Sequence, residues 1–92
     1  MSETVVTRNL TVVNPEGLHA RAATLIAELV RKHEARVMLV KGEDQVEATE
    51  VLQLLSLGAA EGTQLHLEAT GPDAEQVADA LVRMFASGFD GK

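Results

Sequence analysis

His19 and Arg21, two residues apart in the run Gly17-Leu18-His19-Ala20-Arg21, are the side chains of this sequence best suited to chemistry. The residues before them, Thr4 to Val13, alternate like a strand, while from Ala20 onward Ala23, Ile26, Leu29 and Val30 recur at helical spacing. The histidine therefore falls where a helix begins. First-turn N–H groups have no partner inside the helix, and the aligned peptide dipoles leave partial positive charge there. A phosphate bonded to the ring would meet donors from the backbone of Ala20, Arg21 and Ala22. Arg21 adds a fixed cation with planar donors for phosphate oxygens, and Gly17 supplies a turn through which the backbone can approach closely. A nucleophilic ring nitrogen must be unprotonated, and the helix N-terminus disfavours imidazolium. This pattern suits a histidine that accepts a phosphoryl group and gives it up again.

Without that setting, His19 would be a surface loop histidine and Arg21 a solvated helix residue; their shared first turn reverses both readings. The other histidines carry no comparable context. His33 falls near the end of the first helix, at the negative end of its dipole, and His66 faces outward from a strand. Neither helical nor alternating spacing brings any two histidines together, so no metal site is expected. Ser56 lacks the strand-turn-helix elbow and the nearby acid and base that a serine nucleophile needs.

The elements that must hold His19 follow from periodicity. Asn14-Pro15-Glu16-Gly17 ends the first strand, and the first helix runs from Ala20 to about His33. Arg36 to Val40 and Gln45 to Ala48 form a hairpin around Lys41-Gly42-Glu43-Asp44. Thr49 can cap a short helix from Glu50 to about Leu57, closed by Gly58. Leu65, Leu67 and Ala69 alternate with His66, Glu68 and Thr70 in a fourth strand with one buried face. After Gly71, Pro72 or Asp73 opens a last helix whose apolar stripe is Ala74, Val77, Ala78, Leu81, Met84 and Phe85. The order β-α-β-β-α-β-α, with single apolar faces on the strands, calls for an α+β fold with helices on one side of a mainly antiparallel sheet.

Composition narrows the function class. With 92 residues, 46% of them hydrophobic and 24% charged, residues 1–92 read as one domain with one modest core. The absence of cysteine excludes disulfides and thiolate metal sites, and fits a reducing compartment. The start Met1-Ser2-Glu3-Thr4 lacks the regions of a secretory signal and no apolar run reaches membrane-spanning length, so a cytoplasmic protein is expected. A net charge of −6 opposes nucleic-acid binding, and Phe85 and Phe89 are the only aromatics available for stacking. An acidic body with an arginine beside the reactive histidine points to protein partners of complementary charge. The second helix carries Val51, Leu52, Leu54, Leu55 and Leu57, more apolar residues than one buried stripe of so short a helix can hide.

The five-residue run, Ser56-Leu57-Gly58 downstream and the element order together resemble the HPr family, the histidine phosphocarriers of the bacterial sugar phosphotransferase system. The resemblance spans nearly the whole chain. It implies an open-faced β-sandwich, a four-stranded antiparallel sheet with three helices on one face. It further implies that phosphorylated enzyme I donates the phosphoryl group to His19 at Nδ1, that Arg21 is its electrostatic partner, and that a IIA domain of a sugar permease receives it. Such a protein is a stoichiometric carrier and not an enzyme, works without metal or diffusible cofactor, and presents one face to successive partners as a monomer. By the same resemblance, Ala20, Thr24, Val51, Leu52 and Leu55 form the docking patch beside His19. The alternative is a regulatory binding module of the same shape that switches partners with its phosphorylation state and moves no sugar.

Two positions depart from the family pattern. Where the family usually has proline after the arginine, this chain has Ala22, which adds an N–H donor to the first turn and loosens its backbone. Where Gram-positive relatives carry a regulatory serine, this chain has Glu50, which cannot take that modification. A carboxylate at a helix start interacts favourably with the dipole by about 0.3 to 1 kcal/mol, so Glu50 reads first as helix-start chemistry. Permanent imitation of a phosphoserine is the sharper alternative, weakened by its single charge.

Overall fold

The computed structural model describes residues 4–89; Met1-Ser2-Glu3, read above for a leader, and residues 90–92 lie outside that range. Seven elements follow in the order β1 (Val6–Thr11), α1 (Ala20–Arg31), β2 (Arg36–Lys41), β3 (Asp44–Glu47), α2 (Val51–Ser56), β4 (Gln64–Thr70) and α3 (Ala74–Ala86). The four strands make one sheet in the order β1-β4-β2-β3, every neighbouring pair antiparallel. This is the α+β open-faced sandwich that the element order demanded.

Register explains the single covered face. Leu10 pairs with Leu65, and Leu39 with both Leu67 and Val46, so apolar residues of all four strands project to one side. Onto that side α1 presents Ala22, Ala23, Ile26, Ala27 and Val30, and α3 presents Ala74, Val77, Ala78, Leu81 and Phe85. The alanines of α3 let it approach β1 and β4 closely, while α1 packs chiefly against α2 and α3; Ile26, Leu81 and Phe85 are fully buried in the core. Each large side chain so buried contributes about 1.5–3 kcal/mol relative to exposure. The opposite face carries Thr7, Asn9, Arg36, Gln45 and Gln64, all exposed.

The boundaries differ from expectation where partners run out. The first strand covers Val6 to Thr11 rather than Thr4 to Val13, because the β1–β4 ladder extends only from Val6↔Ala69 to Thr11↔Gln64. Beyond it Val12 bonds to a loop, donating to the Thr63 carbonyl and accepting from Gly62 N–H. The first helix stops at Arg31, before His33, whose Nδ1 donates at 2.8 Å to the Leu29 carbonyl, an oxygen that also accepts from Lys32 N–H at 3.2 Å. The short helix begins one residue later than expected, with Glu50 and not Thr49 as its N-cap; the Thr49 carbonyl instead accepts from Arg31 Nη2 at 2.6 Å. Of the two residues offered as the opening of the last helix, Asp73 is the N-cap. Its carboxylate accepts from Glu34 N–H at 2.7 Å and so ties the helix start to the turn before β2.

Candidate functional site

The site is built on the eight residues between β1 and α1, which backbone hydrogen bonds from Val12, Gly17, Leu18 and His19 hold in place. Asn14-Pro15-Glu16-Gly17 closes as a turn, with Gly17 N–H donating to the Asn14 carbonyl at 3.1 Å. The buried Asn14 side chain donates from Nδ2 to the Gly17 carbonyl at 2.7 Å, and His19 N–H donates to that same carbonyl at 3.0 Å. One oxygen thus fixes the turn and the residue that carries the imidazole. Leu18 N–H donates to the Ala59 carbonyl at 2.8 Å, which docks the loop on the connection between α2 and β4. Gly17 is required at that contact: its φ is +72°, and a Cβ there would stand 2.7 Å from the Ala59 carbonyl oxygen.

His19 is the N-cap of α1, with extended backbone (φ −85°, ψ −179°) and a half-exposed side chain. Its Nδ1 accepts a long hydrogen bond, 3.4 Å, from Ala22 N–H. An imidazole therefore takes the place that serine or aspartate usually fills at a helix start. A nitrogen that accepts carries no proton, so Nδ1 presents its lone pair to the mouth of the helix and the ring proton belongs on Nε2. Arg21, in the first turn, is exposed, and among the described residues no carboxylate lies within ion-pair distance of its guanidinium. The Glu16 carboxyl is held below its ordinary range, first by its own backbone N–H, then by the Asn14 amide, with lesser attraction from His19 and Arg21. A half-buried imidazole, first-turn backbone donors and an exposed arginine are thereby gathered at one helix start.

The apolar residues of α2 divide as their excess required. Leu54 is buried and Leu57 follows it into the core, Val51 and Leu55 are half-buried against it, and Leu52 is 81% exposed. Ala20 and Thr24, on α1, are exposed as well. The α2–β4 connection touches the His19 loop through Leu18 and Ala59, which places the two helices' outer surfaces on neighbouring ground. Glu50 is exposed and its side chain makes no capping hydrogen bond, so what it gives the helix start is charge alone. Asn14 is the positioning residue that periodicity did not single out; its only signal was an amide side chain opening a Pro-Glu-Gly turn. His66, on β4, contacts Asn9 Oδ1 at 3.3 Å on the open face of the sheet, well separated in the fold from the start of α1. Among the described residues no three His, Asp or Glu side chains gather as a metal site, and no helix is long and apolar enough to cross a membrane.

Comparison with known proteins agrees with this architecture. Residues 6–87 match the family model described as "PTS HPr component phosphorylation site". Phosphocarrier protein NPr of Escherichia coli K12 is 40% identical over 86 residues, 92% of this chain and 96% of that protein. Phosphocarrier protein HPr of Cupriavidus necator is 33% identical over 82 residues, 89% of this chain and 92% of the relative. Among solved structures, HPr of Thermoanaerobacter tengcongensis superposes with a TM-score of 0.83 at 32% identity, covering 100% of this chain and 98% of the other. With this fold, this strand-to-helix junction and these relatives, the chain belongs to the HPr family of phosphotransferase-system phosphocarriers, proteins that carry a phosphoryl group and do not catalyse a reaction of their own.

Proposed function

We propose that His19 accepts a phosphoryl group at Nδ1 from phosphorylated enzyme I and passes it to the IIA domains of sugar permeases. The orientation of Nδ1 at the α1 N-terminus carries this reading, because the nitrogen that must attack phosphorus is unprotonated and aimed at the donors that would receive the phosphate. In the transfer the Nδ1 lone pair forms the N–P bond, the bond from phosphorus to the donor breaks, and its electron pair leaves with the donor; the Nε2 proton stays on the ring. The Ala20, Arg21 and Ala22 N–H groups and the Arg21 guanidinium then face a dianion. A few such donors stabilise the bound group without holding it too tightly to leave. The relay needs no cofactor, runs in the cytoplasm, and uses one monomeric domain.

Ala20, Thr24, Val51, Leu52 and Leu55 are the proposed docking surface, with Leu52 at its centre. An exposed leucine surrounded by half-buried apolar neighbours loses little by staying in water and gains on contact with a complementary partner. Leu52→Glu is expected to slow phosphoryl transfer from enzyme I by about 10- to 100-fold, the scale of an interface anchor lost. Its melting temperature should stay within a few degrees of the parent, since an exposed substitution costs under about 0.5 kcal/mol. Unfolding with intact transfer per folded molecule would assign Leu52 to the core instead.

A second reading, a regulatory module whose protein partners depend on His19 phosphorylation, is supported by the 40% identical relative being named NPr rather than HPr. Incubation with phosphoenolpyruvate, enzyme I and a IIA domain separates the two: onward transfer supports the sugar relay, and a phosphorylated form that accumulates supports the regulatory module. The serine modification of Gram-positive relatives has no target at position 50 in either case, because Glu50 has no hydroxyl.

A further inference from the structure

Ala22 N–H is the third amide of α1, a position at which a helix has no internal acceptor to offer. Its one partner among the described residues is His19 Nδ1, at 3.4 Å. The Ala22 methyl is wholly buried, so the direction of this N–H is set by core packing and does not drift with the surface. At 3.4 Å the bond is long and weak, and so is easily exchanged for a better acceptor.

The lone pair that accepts this bond is the one a phosphoryl transfer would consume. When the N–P bond forms, Nδ1 has no lone pair left, Ala22 N–H loses its acceptor, and a phosphoryl oxygen attached to Nδ1 becomes the nearest replacement. We propose that Ala22 N–H is a donor shared between two states: it aims Nδ1 in the free protein and bonds a phosphoryl oxygen in the phosphorylated one. Ala22 is then a positioning residue through its backbone, and its identity matters because proline would delete the donor. This inference rests on His19 being the acceptor. It goes beyond that assignment by making the ring's orientation and the affinity for the phosphoryl group depend on one amide.

The test compares the parent with Ala22→Pro, which removes the N–H in a helical turn that tolerates proline, and with Ala22→Gly, which keeps it. In the free proteins, the Nδ1 resonance of His19 is expected to move toward the value of an unbonded imidazole nitrogen in Ala22→Pro and to return toward the parent value in Ala22→Gly. The parent protein is then phosphorylated chemically with phosphoramidate, which requires no partner protein. Its Ala22 amide proton should move downfield as a charged oxygen replaces the ring nitrogen. Finally, parent and Ala22→Pro proteins share a limiting amount of phosphoryl group through catalytic enzyme I, and the parent should hold about tenfold more, the scale of one hydrogen bond to a charged acceptor. An Ala22 amide that stays put on chemical phosphorylation, or an even distribution between the two proteins, overturns the proposal. If phosphoramidate labels His19 and moves the Ala22 amide while enzyme I transfers nothing, the shared donor stands and the relay reading falls. The amide measurement uses the parent alone, so it decides even if Ala22→Pro folds poorly.

Discussion

His19→Ala is expected to lower phosphoryl acceptance from enzyme I by more than about 10³-fold, the scale on which loss of a nucleophile shows itself. The fold should survive. What the substitution removes structurally is the N-cap interaction of α1, a single 3.4 Å hydrogen bond to Ala22 N–H. Replacing a good cap by alanine costs about 0.5–2 kcal/mol, and so long a bond belongs at the low end, a fall in melting temperature of roughly 2–4 °C. No other side-chain bond anchors the ring among the described residues, and the imidazole is half-exposed, so little packing is lost with it. Chemistry and stability therefore separate cleanly in this variant. Measured transfer from enzyme I alongside thermal unfolding checks both, and transfer that persists in folded His19→Ala would place the acceptor elsewhere.

Gly17→Ala should produce the opposite pattern, a large loss of stability that carries function down with it. Two costs add. The residue occupies the left-handed region at φ +72°, which costs a non-glycine about 1–2 kcal/mol. Its new Cβ would also meet the Ala59 carbonyl oxygen at 2.7 Å and the Ala60 Cα at 3.2 Å, both backbone atoms that cannot rotate away. Relief requires the His19 loop to lift from the α2–β4 connection, breaking the Leu18 N–H to Ala59 carbonyl bond of 2.8 Å. Together these predict about 2–4 kcal/mol of destabilisation, a melting temperature lower by roughly 10 °C or more. Gly42→Ala is the control. Its φ is +60° but nothing stands within 4 Å of the added methyl, so only the conformational part, about 1–2 kcal/mol, should appear. Equal melting temperatures for the two variants would mean that the loop does not press on Ala59 as described.

Most of the framework was legible because its signals are periodic. Leu65, Leu67 and Ala69 announce a one-sided strand, and the stripe from Ala74 to Phe85 announces a helix, whatever surrounds them. His19 was legible for a local reason too: a strand, a Pro-Glu-Gly turn and a helical stripe leave only one place for it. Signals that depend on distant partners were not readable. The first strand ends at Thr11 because β4 begins at Gln64, and nothing in the alternation of Val12 and Val13 could say so. Thr49 has the chemistry of a cap, yet its carbonyl is engaged by Arg31 from another helix and Glu50 takes the position. Asn14 reads as a turn residue, whereas its burial and its bond to the Gly17 carbonyl make it part of the frame that holds His19. Phe89 lies in the left-handed region at φ +62° and is buried edge-on against Phe85 with centroids 4.8 Å apart, a strain that core packing sustains and local sequence does not announce.

Ala22 is the residue through which this site depends on a backbone amide. A proline there would leave the Nδ1 lone pair without its backbone donor, and the imidazole would be oriented by packing alone. With alanine, Nδ1 is bonded by a first-turn amide, the same amide that the proposed phosphoryl group would later use. The expected consequence is a carrier whose free and loaded forms both use the first turn of α1, so that ring orientation and phosphoryl affinity change together when that amide is removed.

The central claim is that phosphoryl chemistry occurs at the imidazole capping α1, and locating the label tests it most directly. The protein is incubated with enzyme I and phosphoenolpyruvate, and the modified residue is mapped by mass spectrometry and phosphorus NMR. One phosphoryl group per chain on His19 Nδ1, labile in acid and stable in base, is the predicted result. Label on His33, His66 or a hydroxyl side chain, with His19 unmodified, would contradict it.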